Sequence, residues 1–227
     1  MGNVHVLTSE ESLLEQMQII ERAGRTCYES YKGRDMDIDT GRNFIEKIIK
    51  RGHESVIEHS LLSVLFRGFS RGFSHQVVRH RLCSFSQRST RYVNESDFSF
   101  VRPEGWEDKV VDCEIPGGTF LNGSDDSIVS IPLDDVETFM KSVYEGLVKS
   151  GERKDLARQY LPIGVETEIV VSANFREWRH IFKERLSKRA HWEIRGAMNR
   201  VLADVQEICH PVFSDFEVDQ DELGQVD

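Results

Sequence analysis

No apolar run in this chain approaches the roughly 18 residues needed to span a bilayer, so no segment of it reads as a transmembrane helix. The stretch from Met1 to Ser12 joins no basic region to an apolar one, and nothing there marks the chain for secretion. Cysteine is scarce and scattered: Cys27, Cys83, Cys113 and Cys209 form no Cys-x-x-Cys pair. That pattern speaks against a disulfide frame or a zinc site and predicts free thiols in a reducing cytoplasm. No Gly-rich dinucleotide turn opens a helix, no β-α-β rhythm repeats, and there is no internal repeat or convincing linker. The chain should therefore form a single α+β domain with a central, mostly antiparallel sheet flanked by helices. His53, His59 and His80 lack helical His-x-x-x-His spacing, and no metal is expected. Positive charge is also in deficit. The net charge of −10 argues against general affinity for nucleic acid or anionic membrane.

What is present is an ordinary globular composition, 39% hydrophobic and 30% charged over 227 residues, with one marked asymmetry. Between Glu58 and Glu95 there is no carboxylate, where the chain's mean acidic frequency would place about six. The interval holds Arg67, Arg71, Arg79, Arg81, Arg88 and Arg91 with His59, His75 and His80. A basic field inside an acidic protein suggests a small anionic ligand gathered at one site.

The periodicities predict these elements. Thr8 to Glu11 has the form of a capping box before a helix through Leu13, Met17 and Ile20, with Gly24 as its stop. A second helix is expected over Arg42 to Arg51, a strand through Leu62, Val64 and Phe66, and a helix carrying Phe69, Phe73 and Val77 into Arg79-His80-Arg81. Ser84 to Arg91 is polar and reads as a loop. Glu104 to Ser130, with turn signals at Pro116-Gly117-Gly118 and Asn122-Gly123, reads as a surface loop or hairpin; residues 103–131 form a variable insertion. Val136 to Leu147 is amphipathic and ends near Gly151; a short helix holds Leu156 and Arg158 before Pro162; Glu166 to Ala173 alternates as a strand. Helices follow at Glu177 to Leu186 and Ala190 to Cys209, with Trp178 and Trp192 at core or subunit-interface positions. The domain spans 1–217, and 218–227 is an acidic tail expected to fray.

The densest chemistry lies in Arg79-His80-Arg81-Leu82-Cys83-Ser84 followed by Gln87-Arg88-Ser89-Thr90-Arg91-Tyr92. Guanidinium forks match phosphate oxygens in bidentate fashion, and hydroxyls fill the remaining acceptors. Such a loop can hold two phosphorylated ligands. On physics alone, a solvated basic loop making surface ion pairs is an equal alternative.

Arg79-His80-Arg81, Ser84, Ser89 and Arg91 fill every fixed position of the signature of the flavin-dependent thymidylate synthases, a family this chain resembles. The resemblance extends to Gly52-His53-Glu54-Ser55 with Glu58-His59, to Gln76, and to Leu156-Ala157-Arg158 before Leu161-Pro162. It continues through Asn174-Phe175-Arg176, His180, Arg185 and Trp192-Glu193-Ile194-Arg195. It implies methylation of dUMP to dTMP with FAD as cofactor, 5,10-methylenetetrahydrofolate as carbon donor and NADPH as reductant. It implies FAD contacts at Ser55, Arg79, His80, Arg81, Gln87, Asn174, Arg176 and His180. Around dUMP it implies Gln76, Arg79, Gln87, Arg88, Ser89, Thr90, Arg91 and Arg158, with Arg185 as the catalytic residue against the uracil ring. Many relatives carry Glu where this chain has Gln87. The resemblance further implies a homotetramer with shared active sites.

Arg185 also has a physical reading of its own, since a cationic guanidinium stabilises negative charge developing on uracil. Its alternative is a surface partner to Glu177 or Glu184. No cysteine is required: Cys209-His210-Pro211 has the Pro-Cys-His residue types of the unrelated thymidylate synthase in the wrong order. The rival from another class is a nucleotide- or nucleic-acid-binding module built on the same basic stretch. The acidic total weakens it.

Overall fold

Strict alternation makes two strands central. β2 (Leu62–Ser70) buries Leu62, Val64 and Phe66, and β6 (Glu166–Ala173) buries Thr167, Ile169, Val171 and Ala173, each at the period of two that puts one face on a core. The computed structural model describes residues 2–30, 32, 38–93, 98–115 and 127–223. β1 (Asn3–Val6) pairs antiparallel with β2, and β3 (Ser84–Gln87) pairs antiparallel with β6, giving the order β1-β2-β6-β3. The mostly antiparallel α+β architecture expected from the sequence is the one observed.

The chain divides into two compact units. One comprises Met1–Gln87 and Thr167–Asp227, the other Arg88–Glu166. In the first, helices α1 (Glu10–Thr26), α2 (Ile38–Lys50), α3 (Arg71–Val77), α6 (Phe175–Arg185), α7 (Trp192–Gln206) and the short α8 (His210–Phe213) accompany the sheet. Phe66, Phe69, Phe73, Phe175, Trp178, Phe182 and Phe213 are fully buried in one apolar cluster. Each such side chain contributes roughly 1.5–3 kcal/mol by leaving water. The Trp178 indole N–H donates to the Leu62 carbonyl at 3.0 Å, which ties α6 to β2. Trp178 is thus core as expected, whereas Trp192 is half-buried.

Several boundaries differ from the sequence reading, each for a local reason. Ser9 caps α1, its hydroxyl accepting from Ser12 N–H at 3.2 Å, while Thr8 Oγ1 accepts from Ser63 N–H at 2.9 Å. Gly24 does not stop α1; a Cβ there would lie 2.6 Å from the Phe44 ring, so the glycine admits α2 closely. β2 runs on to Ser70 because Gly68, at φ +74°, slips the alternation and turns Phe69 inward. Ser84–Gln87 is a strand, not a loop: at the sheet edge only half its residues are covered, and hydroxyls suit that position. α6 starts at Phe175, capped by Asn174 Oδ1 on Glu177 N–H at 2.9 Å, an Asn-x-x-Glu signal present in the sequence. The expected fraying after Phe216 is absent through Leu223: Arg195 Nε donates to Glu222 at 2.6 Å and Asn199 Oδ1 accepts from Asp219 N–H at 2.8 Å.

In the second unit, β4 (Val110–Ile115) and β5 (Ser127–Pro132) form an antiparallel hairpin, followed by α4 (Leu133–Lys149) and α5 (Lys154–Ala157). The turn signals at 116–118 and 122–123 lie outside the described residues. Arg102 gathers this unit, donating to Glu137 at 2.6 Å, Asp134 at 2.5 Å and the Glu107 carbonyl at 2.6 Å. No described helix is long and apolar enough to cross a membrane.

Candidate active site

α3 ends at Val77, and the chain then folds on itself: His80 N–H bonds the Val77 carbonyl at 3.2 Å and Cys83 N–H bonds that of His80 at 3.2 Å. The tight turn sends alternate side chains apart. His80 is buried, with 5% of its surface exposed, while Arg79 and Arg81 remain exposed. Opposite them stands α6, whose Arg176, His180 and Lys183 fall on one exposed helical face. Together with Asn174 these residues line a cleft of about 1180 Å³ in the first unit. Six of the residues expected at FAD are thereby brought together: Arg79, His80, Arg81, Asn174, Arg176 and His180. Ser55 is not among them. It sits on a 3-10 turn, Glu54–Glu58, and lines a second cleft of about 410 Å³ with Cys27, Tyr28 and His53. Glu54 and Arg176 border both. Gln87 lies on β3, its amide donating to Ser74 Oγ at 2.9 Å and Thr167 Oγ1 at 3.2 Å.

The larger cleft is not uniformly basic, although the sequence between Glu58 and Glu95 is. Glu54, Glu58, Glu177 and Asp215 enter its wall from elsewhere in the chain. Arg176 bonds Glu58 and approaches Glu54 at 3.9 Å. Arg179 clamps Asp215 with two bonds of 2.6 Å and reaches Glu54 at 3.3 Å. Burial pushes the Asp215 carboxyl up, but the Arg179 bond and charge outweigh it and hold it below its ordinary range. These acids were missed by sequence reasoning. Glu54 and Glu58 stand in the 52–59 segment that the resemblance covers but carried no assigned role, Glu177 stands three residues after its cap, and Asp215 gives no signal.

Arg185 and Gln76 meet at His80. The Arg185 Nε–H donates to His80 Nε2 at 3.0 Å, and its Nη atoms reach Gln76 Oε1 at 3.5 Å and the Gln76 carbonyl at 3.4 Å. The surface pairing with Glu177 or Glu184 is thus not what holds this arginine. Burial, then the positive charge of Arg185 and then that of His180, drives His80 down from 6.5 to about 4. The imidazole is neutral at ordinary pH. Donor atoms of His80, Glu177 and His180 lie within 4.8 Å of one another and could hold a metal ion. The guanidinium already beside His80 opposes a second cation there. Burial first, and then the charge of Glu177, pushes the Cys83 thiol up to about 12, and burial alone raises Cys209 to about 12 against the opposing charge of Arg42. Neither is a thiolate nucleophile.

The remaining expected residues belong to the second unit. Arg158 Nη1 donates to Thr90 Oγ1 at 3.3 Å, Arg91 N–H bonds Ser89 Oγ at 3.3 Å, and Arg88 Nη2 donates to the Glu166 carbonyl at 3.2 Å. Thr90 and Arg158, 68 residues apart in sequence, are thus neighbours.

Comparison with known proteins adds to this geometry. The family model described as thymidylate synthase complementing protein matches residues 11–212. The flavin-dependent thymidylate synthase of Mycolicibacterium vanbaalenii is 35% identical over 202 residues, covering 88% of this chain and 79% of the relative. That of Mycobacterium tuberculosis is 35% identical over 203 residues, with the same coverage of 88% and 79%. Among solved structures, a UMP/dUMP methylase from Streptomyces cacaoi bound with 5-Br dUMP superposes with TM-score 0.67 at 18% identity, over 95% of this chain and 96% of that one. Thymidylate synthase X from Helicobacter pylori, with FAD and dUMP, gives TM-score 0.64 at 20% identity, over 99% and 100%. At those identities the two structures speak for the fold. With the family model running from α1 to α8, the chain belongs to the thymidylate synthase complementing protein family, the family of the flavin-dependent thymidylate synthases.

Proposed function

We propose that this chain methylates dUMP to dTMP as an FAD-dependent thymidylate synthase, taking its carbon from 5,10-methylenetetrahydrofolate and its reducing equivalents from NADPH. The observation that carries this reading is the convergence of Arg79, Arg81, Arg176, His180 and Lys183 on one cleft of about 1180 Å³ beside a neutral His80. The cleft exceeds the roughly 300–1,000 Å³ of ordinary ligand sites, room enough for a dinucleotide. Its exposed guanidinium groups suit a pyrophosphate, and the imidazoles suit an aromatic ring. The residues therefore fit FAD, and Arg79, His80, Arg81, Asn174, Arg176 and His180 would hold it, with Ser55 and Gln87 as further contacts. Bound flavin would supply the hydride that completes the methyl group.

The chain's own residues do the rest. Ser89, Arg91 and Arg158, with Arg88, would bind the dUMP phosphate, where guanidinium and hydroxyl donors replace its water, and Thr90 would also lie around dUMP. Gln76, Arg79 and Gln87 are the further residues that the family resemblance implies at dUMP. Arg185 would stabilise negative charge on the uracil ring as carbon is accepted, since a guanidinium stays cationic in proteins.

Residues 1–217 act as one synthase domain, a reading supported by a family match that runs through both units; 103–131 is an insertion and 218–227 a tail. A homotetramer with shared sites belongs to the same reading, on the family resemblance alone. The free cysteines suit a cytoplasmic enzyme. The test is the visible spectrum of the purified protein, followed by anaerobic NADPH with and without dUMP. A flavin spectrum that bleaches faster with dUMP supports the synthase. A protein that takes up no FAD and binds no dUMP rejects it in favour of a binding module.

A further inference from the structure

Glu177 is buried, with 6% of its surface exposed, on the first turn of α6, and no role above requires it. Its Oε1 lies 3.8 Å from His80 Nδ1, at the edge of the ring remote from Arg185. The opposite nitrogen, Nε2, faces the Arg185 Nε–H at 3.0 Å. A guanidinium only donates, so Nε2 must offer a lone pair. The ring is then neutral with its one proton on Nδ1, the nitrogen that lies 3.8 Å from the buried acid. His180 packs edge-on to the same ring at 5.6 Å and restrains its tilt.

We propose that Glu177 is a positioning residue: its buried carboxylate keeps the single His80 proton on Nδ1, and this leaves Nε2 as the acceptor that aims the Arg185 guanidinium. The carboxylate favours the N–H dipole pointing at it over the lone pair that the other tautomer would present. In that other tautomer Nε2–H would face Arg185 Nε–H, two donors in conflict, and the guanidinium would turn away. Gln76 alone, at 3.4–3.5 Å, would then hold it. The effect on catalysis rests on the role proposed for Arg185; the tautomer does not.

Long-range nitrogen-15 NMR of the full-length protein, in wild type, Glu177→Gln and Glu177→Leu, reads the ring directly. Wild type should show His80 neutral with Nδ1 protonated near pH 7.5. Glu177→Leu should populate the Nε2–H form and lower kcat/KM for dUMP by roughly 10- to 100-fold, as a catalytic group misplaced by about an ångström does. Glu177→Gln, which keeps a carbonyl acceptor, should restore the Nδ1–H form and recover much of that loss. A wild-type ring protonated on Nε2, or on both nitrogens, overturns the inference without any variant. So does a Glu177→Leu protein whose tautomer is unchanged. Absence of turnover in wild type would reject the proposed function and leave the tautomer reading standing.

Discussion

The carboxylate of Glu193, buried on α7, closes the N-terminus of α3: Oε1 accepts the Ser70 N–H at 2.6 Å and Oε2 the Ser70 hydroxyl at 2.5 Å. Ser70 Oγ in turn accepts from Phe73 N–H at 3.0 Å. An acid there satisfies otherwise orphaned donors and complements the helix dipole. Because α3 carries Gln76 and leads into Arg79-His80-Arg81, the Trp192-Glu193-Ile194-Arg195 segment serves the site without lining it. Glu193→Ala should lower unfolding stability by roughly 2–3 kcal/mol, the cost of leaving buried donors unpaired. Glu193→Gln should lose less. Urea titration of the three proteins measures both.

Arg185→Ala should lower kcat/KM for dUMP by roughly 10²–10³, the range for removal of one electrostatic contact to developing charge. Flavin content should stay at the wild-type level. Arg185→Lys keeps the charge but loses the fork held by His80 and Gln76, and should recover only part of the rate. Full activity in Arg185→Ala would remove it from the reaction.

Acid should weaken the fold through His80. Its value falls from 6.5 in an ordinary setting to about 4 when folded, so the unfolded chain binds this proton first. The stability the neutral ring contributes is present above about 6.5 and is lost as pH falls toward about 4, by at most about 1.4 kcal/mol per pH unit. Glu177, raised by burial, acts with the opposite sign above its ordinary value of 4.5. His80→Asn should lose less stability than wild type between about pH 7.5 and about pH 5, measured by denaturant midpoints.

The thiols should be inert where they lie in the site. With Cys83 at about 12, Cys83→Ala should keep wild-type turnover, and iodoacetamide should label exposed Cys27 well before Cys83 or buried Cys209. A Cys83→Ala protein that binds FAD and dUMP but does not turn over would return a thiol to the mechanism.

What the sequence made legible follows from where each side chain finds its partner. β6 was readable to the residue because Thr167, Ile169, Val171 and Ala173 alternate against one core. The basic turn was readable because its donors are local. β3 was not, since Ser84–Gln87 is hydroxyl-rich and owes its strand to pairing with β6. Gly24 read as a stop because glycine breaks helices, whereas here it serves packing against Phe44. Glu54, Glu177 and Asp215 were not assigned to the site, because their relation to Arg179 and His80 exists only after three separated segments meet.

β3 and β6 also constrain the order in which the protein can assemble. Gln87 and Thr167 bond at 3.2 Å across 80 residues of chain, and the residues of the second unit fall between them in the sequence. The loop-closure entropy of that span rises only slowly with length, but such non-local pairing slows folding. During synthesis β3 cannot pair fully until Ile169 to Ser172 have emerged, and Arg185 follows later still. The basic turn at 79–81, though made early, therefore acquires its final geometry among the last steps, and a chain truncated before α6 would carry every residue of the signature without forming its cleft.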